Sequence, residues 1–388
     1  MTIAVVALSA RAIVQAARRD GLRCVAIDAF GDADTRRLAP WLAAGEGGLD
    51  GAHWLAALRT ARDRHGATAW IACSGFEGRA DVLADGEAVL PLLGTAAADR
   101  ARVDDLRAWY GLLDELHIPH VRLRFEAPVQ PDGWLFKRPG AGGLQVVPAR
   151  GATPSADGVW LAERRHAEPW SATLLANGER AVVWGLNRQW CDPTPERPYR
   201  FGGIAGPCVD AALHDEVGAL VQRLVPRLRL RGLCSIDLLR VDGRTEVLEV
   251  NARPPASLAL YPGALRAHVL ACEGRLLPPP RVQRVRGVAV VYARRPIDID
   301  RHAALALAAM RRTHDLPLPQ THVAAGMPVC SLSAAGTSYD TVRRGLDRRR
   351  LDLLDTLETP HERSPRRPGR LPAEREPQRR AAGGAPGG

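Results

Sequence analysis

The chain has 388 residues, 46% hydrophobic and 25% charged, ordinary proportions for a globular protein of two to three domains. Its formal net charge of +10 invites a nucleic-acid reading, but seven Arg against three Glu fall between His361 and Gly388, and the 5% of aromatics are not interleaved with Arg as base stacking requires, so a nucleic-acid partner is not expected beyond weak binding through that basic end. Seven scattered cysteines without a Cys-x-x-Cys pair argue against zinc or disulfides and for reduced thiols in the cytoplasm, and the apolar start Thr2–Leu8 is too short to span a membrane.

Residues 1–95 alternate strand and helix: a strand at 3–8, a helix over Arg11–Arg19, and a strand at Arg23–Asp28. That is the βαβ opening of a parallel sheet. The turn after the first strand reads Ser9-Ala10-Arg11, not Gly-x-Gly-x-x-Gly, which argues against dinucleotide binding. An acidic turn (Asp28, Asp32, Asp34, Thr35) and the segment Cys73-Ser74-Gly75-Phe76-Glu77 fall at strand ends, where open parallel sheets place ligands. Plain turn chemistry explains their Asp and Gly equally well. Asp99–His117 reads as one amphipathic helix whose Leu106, Trp109, Tyr110, Leu113 and Leu116 form a core face.

The next segment, Gly133-Trp134-Leu135-Phe136-Lys137-Arg138-Pro139-Gly140-Ala141-Gly142-Gly143, holds the only lysine of the chain, against 52 arginines. Lys presents a compact ammonium on a flexible stem, suited to a phosphate oxygen as a point charge, and the glycines let backbone N–H groups approach an anion. Strands are expected at 134–138, 144–148 and 159–163, then from Trp170 to Leu175. After Trp184–Cys191, the stretch Tyr199–Pro207 reads as a Gly-rich loop leading to a helix near Val209, with helical spacing from Asp210 to Leu228.

Two apolar runs then flank Asp242-Gly243, a strong hairpin signal. Asp237, Glu249 and Asn251, all hard oxygen donors, lie in those runs. Half-buried carboxylates on adjacent strands repel unless a cation lies between them, and Mg²⁺ is the usual one. A strict two-residue loop would put Leu248 opposite Asp237; a three-residue loop or one bulge puts Glu249 there and Asn251 opposite Ser235. The second arrangement is expected.

Pro278-Pro279-Pro280 marks a boundary, after which a strand over Arg286–Tyr292 and a helix over Tyr339–Leu357 build a small lobe. His322 and Cys330 have no visible acid or base partner and read as structural. From Thr359 onward Pro, Arg and Gly dominate, and disorder is expected.

The Lys and Gly-rich segment followed by a hairpin ending in Leu248-Glu249-Val250-Asn251-Ala252-Arg253-Pro254 resembles the ATP-grasp superfamily, over roughly residues 1–355. The resemblance implies an α/β chain with an α+β lid: an N-terminal parallel-sheet domain (1–95), an ATP-grasp domain (96–277) with a mobile lid at about 133–180 and a metal-binding antiparallel subdomain, a small C-terminal lobe (278–359) and a disordered basic tail (360–388). It implies that Asp237, Glu249 and Asn251 bind Mg²⁺ (or Mn²⁺) bridging the ATP phosphates. Lys137, Gly142 and Gly143 would contact the phosphates from the lid, with Glu163 at the adenine hinge and Glu168 on the ribose, although the Gly that usually separates such a pair is missing. Arg253 would be catalytic, steadying the transferring phosphoryl group. For the Lys that relatives carry near the start of the first long helix, Arg100 and Arg102 are both candidates. The implied activity is ATP-dependent ligation of a small-molecule carboxylate to an amine through an acylphosphate, in a cytoplasmic protein with no membrane partner and with room for a homodimer. Within the superfamily the chain also resembles the archaeal-type enzymes that ligate glutamate to tyramine, through the turn at 28–35 and the loop at 202–207. The alternative is a non-catalytic ATP-binding regulatory protein, which loss of the metal ligands or of Arg253 would mark; all are present.

Overall fold

The structure, a computed structural model, describes residues 1–45, 49, 52–140, 143–148, 158–163, 167–195 and 197–358. The expected basic tail lies outside them. The first unit is a parallel sheet in the order β3-β2-β1-β4, built from β1 (Thr2–Val6), β2 (Arg23–Asp28), β3 (Trp41–Ala43) and β4 (Ala67–Ala72). Between the strands run α1 (Arg11–Arg19), α2 (Ala33–Leu38) and α3 (His53–His65), and α4 (Ala80–Glu87) follows. Strands buried on both faces need apolar runs without alternation, and Ile3 to Ala7 are all 1% exposed or less. Phe76 packs edge to face against Trp54 and Trp70, which are tilted against each other, beneath one side, with centroids 5.3–5.8 Å apart.

The single helix expected over 99–117 is two, α5 (Ala97–Asp104) and α6 (Leu106–Glu115). Asp105 breaks the run: its backbone is extended and its carboxylate caps α6 by accepting from the N–H groups of Arg107 and Ala108. A short acid competes with the helix for backbone donors, and apolar spacing does not register that competition. The core face of α6 forms as expected, with Leu106, Trp109, Tyr110 and Leu113 buried.

A small antiparallel sheet in the order β5-β8-β6-β7 follows, from β5 (Leu123–Arg124), β6 (Trp134–Gly140), β7 (Gly143–Pro148) and β8 (Val159–Ala162). The fourth strand read into the lid, β9 (Glu168–Asn177), is not in this sheet. It joins the eight-stranded sheet β13-β12-β9-β10-β11-β14-β18-β16, so the lid sheet ends at Ala162. That large sheet contains β10 (Ala181–Cys191), β11 (Phe201–Cys208), β12 (Arg231–Val241), β13 (Arg244–Asn251), β14 (Val285–Tyr292), β16 (Thr313–His314) and β18 (Pro328–Gly336). α7 (Ala211–Leu228) and α8 (Ala264–Cys272) flank it, while β15 (Ile297–Ile299) and β17 (Thr321–Val323) pair with each other. α9 (Arg301–Ala309) and α10 (Tyr339–Glu358) complete the C-terminal segment.

The Gly-rich stretch expected as a loop is strand β11. Its glycines serve close strand approach rather than anion binding. A Cβ on Gly203 would lie 2.2 Å from the Trp190 ring and 2.5 Å from the Val288 oxygen, and one on Gly206 would lie 2.2 Å from Asn187 Oδ1.

Alternation along the large sheet divides its two faces. Cys234, Ile236, Leu238 and Leu174 join the core under α6 and α7, whereas Leu233 and Leu175 join a core shared with α8 and the N-terminal unit. The odd positions of β12, including Ser235 and Asp237, therefore face the N-terminal unit. That unit also docks on the C-terminal segment: Arg11 makes a bidentate pair with Asp315 (both 2.9 Å), and Asp34 accepts the N–H groups of Asp315 and Leu316 at 3.0 and 2.9 Å. All seven cysteines are free, and Cys73, Cys234 and Cys330 are buried. No helix among the described residues is long and apolar enough to cross a membrane.

Candidate active site

The β12–β13 hairpin turns tightly at Asp242-Gly243, pairing Val241 with Arg244. Both turn residues take positive φ (48° and 77°), the conformation an Asp-Gly pair favours. Continued without a break, that register would set Leu248 against Asp237. A bulge intervenes: Leu238 pairs with Val247, and the next pair is Asp237 with Glu249, followed by Ser235 with Asn251. One extra residue, Leu248, thus brings the three oxygen-bearing side chains to one face.

Each is already engaged. Asp237 Oδ1 accepts from Gln189 Nε2 at 2.9 Å, and Oδ2 accepts from Asn251 Nδ2 at 3.3 Å. Glu249 Oε2 accepts from Lys137 Nζ at 2.7 Å, across the gap between the lid sheet and the large sheet. Burial and then the Glu249 charge push the Asp237 carboxyl up to about 6. Burial alone would lower the Lys137 ammonium; Glu249, Tyr110 and Asp237 reverse this and hold it above its ordinary value. Lys137 is 2% exposed, so the lone lysine points into the site.

Arg253 is held from the opposite side. Its Nε donates to Glu77 Oε1 in a short contact, and its Nη2 donates to Asn251 Oδ1 at 3.1 Å. Glu77 arrives from the loop after β4 and is fixed by the N–H of Gly75 at 2.7 Å. Burial raises its carboxyl, but Arg253 and Arg100 outweigh burial and hold it below the usual carboxylate range. Arg100 is 3% exposed and donates to Asp104 Oδ1 and the Ala252 oxygen, whereas Arg102 is exposed and donates to the Arg227 oxygen at 3.4 Å. Of the two arginines weighed from sequence, Arg100 is the one at the site. These groups border a cavity of about 160 Å³ between α5, α6 and the end of β13.

The other expected contacts are more dispersed. Glu163 follows β8 at the junction of the two sheets; its N–H donates to the Gly133 oxygen and its carboxylate accepts from Tyr199 at 2.8 Å. Glu168 opens β9, is exposed, and among the described residues makes long contacts to Trp170 (3.4 Å) and Arg188 (3.5 Å). Gly143 opens β7 opposite Gly140, while Gly142 lies outside the described residues. Glu77 comes from the strand-end segment 73–77 that the sequence marked, whereas Gln189 and Asp104 are site neighbours it did not single out. Gln189 stands one strand away from the motif, and nothing in its own segment marks it.

Whether the hairpin suits a divalent cation is a question of donor chemistry. Among the described residues no group of three or more His, Cys, Asp or Glu side chains is arranged for a metal. The hairpin offers two carboxylates and an amide oxygen, a hard set that suits Mg²⁺ better than zinc or copper. The ammonium of Lys137 bound to Glu249, and the raised Asp237, both show surplus negative charge that a cation neutralises. The residues fit the ion.

The acidic turn is arranged differently. Asp28 accepts from the N–H groups of Ala10 and Gly31 and from Trp41 Nε1, each at 2.8 Å. Asp32 is 8% exposed and makes no capping bond to α2. Burial, then Asp315, Asp28 and Asp34, raise it to about 8.

Residues 115–257 match the family model of the ATP-grasp domain. Solved ATP-grasp structures align over nearly the whole chain. A biotin carboxylase from Campylobacter jejuni, in complex with a β,γ-ATP ligand, aligns with a TM-score of 0.68 at 11% identity, over 92% of this chain and 95% of the other. The biotin carboxylase domain dimer of Hydrogenobacter thermophilus 2-oxoglutarate carboxylase, complexed with MgADP, ADP and bicarbonate, gives 0.66 at 12% identity, over 92% and 93%. N5-carboxyaminoimidazole ribonucleotide synthetase from Thermus thermophilus gives 0.64 at 14% identity, over 93% and 99%. No curated protein matches the sequence. The chain carries an ATP-grasp domain, and its mixed α/β architecture is the ATP-grasp fold.

Proposed function

We propose that the protein is an ATP- and Mg²⁺-dependent ligase that activates a carboxylate as its acylphosphate and passes the acyl group to an amine. The observation that carries this is the convergence of Lys137, Asp237, Glu249, Asn251 and Arg253 on one cleft from three separate elements. A substrate carboxylate oxygen attacks the γ-phosphorus and ADP leaves; the amine then attacks the acyl carbon and phosphate leaves. No protein nucleophile is needed, so positioning and charge neutralisation supply the rate.

Asp237, Glu249 and Asn251 would hold the Mg²⁺, which when bound neutralises phosphate charge. Lys137 leaves Glu249 for the α- and β-phosphates as nucleotide enters, keeping its buried ammonium paired throughout. Arg253, fixed by Glu77, presents its guanidinium to the transferring phosphoryl group. Gly142 and Gly143 line the phosphates from the lid, Glu163 meets adenine at the hinge and Glu168 the ribose. The domain limits at 95, 277 and 359 belong to the same reading, as does a cytoplasmic location. A phosphate-release screen with ATP, Mg²⁺ and pooled carboxylic acids and amines tests it. Release that requires both an acid and an amine is expected; nucleotide binding without any substrate-dependent release overturns the ligase and leaves an ATP-binding regulator.

A further inference from the structure

The cavity beside Arg253 contains one group that the proposed phosphate chemistry leaves unused. Asp104 ends α5 with 13% of its side chain exposed and gives Oδ1 to Arg100 Nε at 3.1 Å. Its second oxygen, Oδ2, is buried and makes no hydrogen bond of normal geometry with the described residues. Burial raises the Asp104 carboxyl against the pull of Arg100. The neighbouring charges on the wall are engaged: Arg253 by Glu77 and Asn251, Glu249 by Lys137, Glu77 by Gly75. The remaining wall is apolar, formed by Val103, Leu106 and Trp109. The Gly78 N–H also bears on this carboxylate, yet Oδ2 is left without a well-placed donor, a shortfall of up to about 1–3 kcal/mol that a ligand bringing a donor recovers.

We infer that this cavity is the acceptor-amine site, with Asp104 Oδ2 receiving an N–H of a small primary amine, or of the amino head of a larger one, beside Arg253. The inference deepens the ligase reading and rests on it for the amine's role, but the binding itself stands on the cavity. An amine suits the position better than an anion, because the unsatisfied atom is a carboxyl oxygen that accepts. The size limits what fits: about 160 Å³ holds roughly five waters at ~30 Å³ each, enough for a short amine and too little for a nucleotide. Leu106 and Trp109 cover the carbon side of such a ligand, and Arg100 holds Oδ1, which leaves Oδ2 for it.

The test uses the full chain and methylammonium as the probe, with tetramethylammonium, which has the charge but no N–H, as competitor. Saturable methylammonium binding by ligand-observed NMR is expected, unaffected by tetramethylammonium. Asp104→Asn should weaken it by at least about tenfold, as loss of a charge-assisted hydrogen bond does. Val103→Phe fills the cavity without touching a charge and should abolish it, so the inference does not hang on how well the Asn variant folds. Equal affinity in wild type and Asp104→Asn, competition by tetramethylammonium, or no saturable binding in wild type (water alone on Asp104) would overturn it. Methylammonium binding through Asp104 without phosphate release from any acid–amine pair would sink the ligase and leave the site. Phosphate release with amine binding indifferent to Asp104 would sink the site alone.

Discussion

The turn at Asp28–Asp34 and the hairpin at Asp237–Asn251 look alike in composition, each a short run of hard oxygen groups at the edge of a sheet, yet their donors differ in kind. Asp28 and Asp34 are saturated by fixed donors: four backbone N–H groups and the Trp41 indole. Asp237 and Glu249 are met by side chains, from Gln189, Asn251 and Lys137, that can rotate away. A carboxylate closed by main chain holds the fold in place; one closed by movable side chains keeps its lone pairs available for a ligand. Acidity and position do not separate the two cases, and the donors do.

The largest effect expected from that contrast is on Glu249→Gln. Turnover should fall by roughly 100-fold or more, since the amide keeps a bond to Lys137 but loses the charge that a cation needs. Stability of the nucleotide-free chain should fall by only about 1–3 kcal/mol. A denaturation curve set beside a phosphate-release rate separates the two quantities, and a loss of stability that accounts for the lost activity would break the contrast. Asp28→Asn should do the reverse. Its amide nitrogen would confront the donors of Ala10, Gly31 or Trp41, destabilising the chain by about 2–3 kcal/mol. Turnover per folded molecule should stay within a factor of two or so, because Asp28 is fully buried and held by fixed donors, out of reach of a substrate. A specific loss of activity there would move the turn into the site.

Asp32 gives a smaller, pH-dependent effect. Its folded value of about 8 lies above the unfolded value near 4, so the folded chain binds the extra proton between them. Stability contributed by that proton is full below about pH 4 and is lost as pH rises through about 8. Urea denaturation of Asp32→Asn should show a flatter profile over this range and greater stability than wild type above pH 8; a parallel offset at every pH would rule the titration out. The smallest effect belongs to His322→Ala. The pair with Asp298 at 2.7 Å is exposed on both sides, and its loss should move unfolding by less than about 0.5 kcal/mol. A larger change would mean that the β15–β17 ribbon bears weight that its exposure conceals.

Much of the hairpin was legible because two local rules combine. Asp-Gly sets the turn, and chemistry that wants Asp237 and Glu249 together requires one residue to be taken out of register, which Leu248 supplies. Lys137 was legible from composition alone, as the one cation in the chain not written as Arg. Where reading failed, the deciding partner was distant in sequence. Gly203 is glycine because the Trp190 ring and the Val288 oxygen lie against it, so the stretch is a strand and not an anion loop. Asp105, by contrast, acts locally: it splits a helix whose apolar face runs on across the split, as Val103 before it and Leu106, Trp109 and Leu113 after it show. The small sheet of β5 to β8 ends before β9 because β9 pairs with the adjacent β10 and with β12, which comes only after α7. Gln189 reaches Asp237 across 48 residues, and nothing in its segment announces it, whereas the strand-end segment that carries Glu77 was marked.

The sulfur chemistry of the chain has a practical consequence. Burial raises every one of the seven thiols: Cys24 to about 11, Cys73, Cys234 and Cys272 to about 12, and Cys191, Cys208 and Cys330 upward as well. The nucleophile in alkylation is the thiolate, so at neutral pH the native sulfurs are nearly silent toward maleimides. A cysteine introduced at Val129, 95% exposed in the segment that leads into β6, would stand alone as a labelling handle. A fluorophore there would report whether the β5–β8 sheet moves when nucleotide is added.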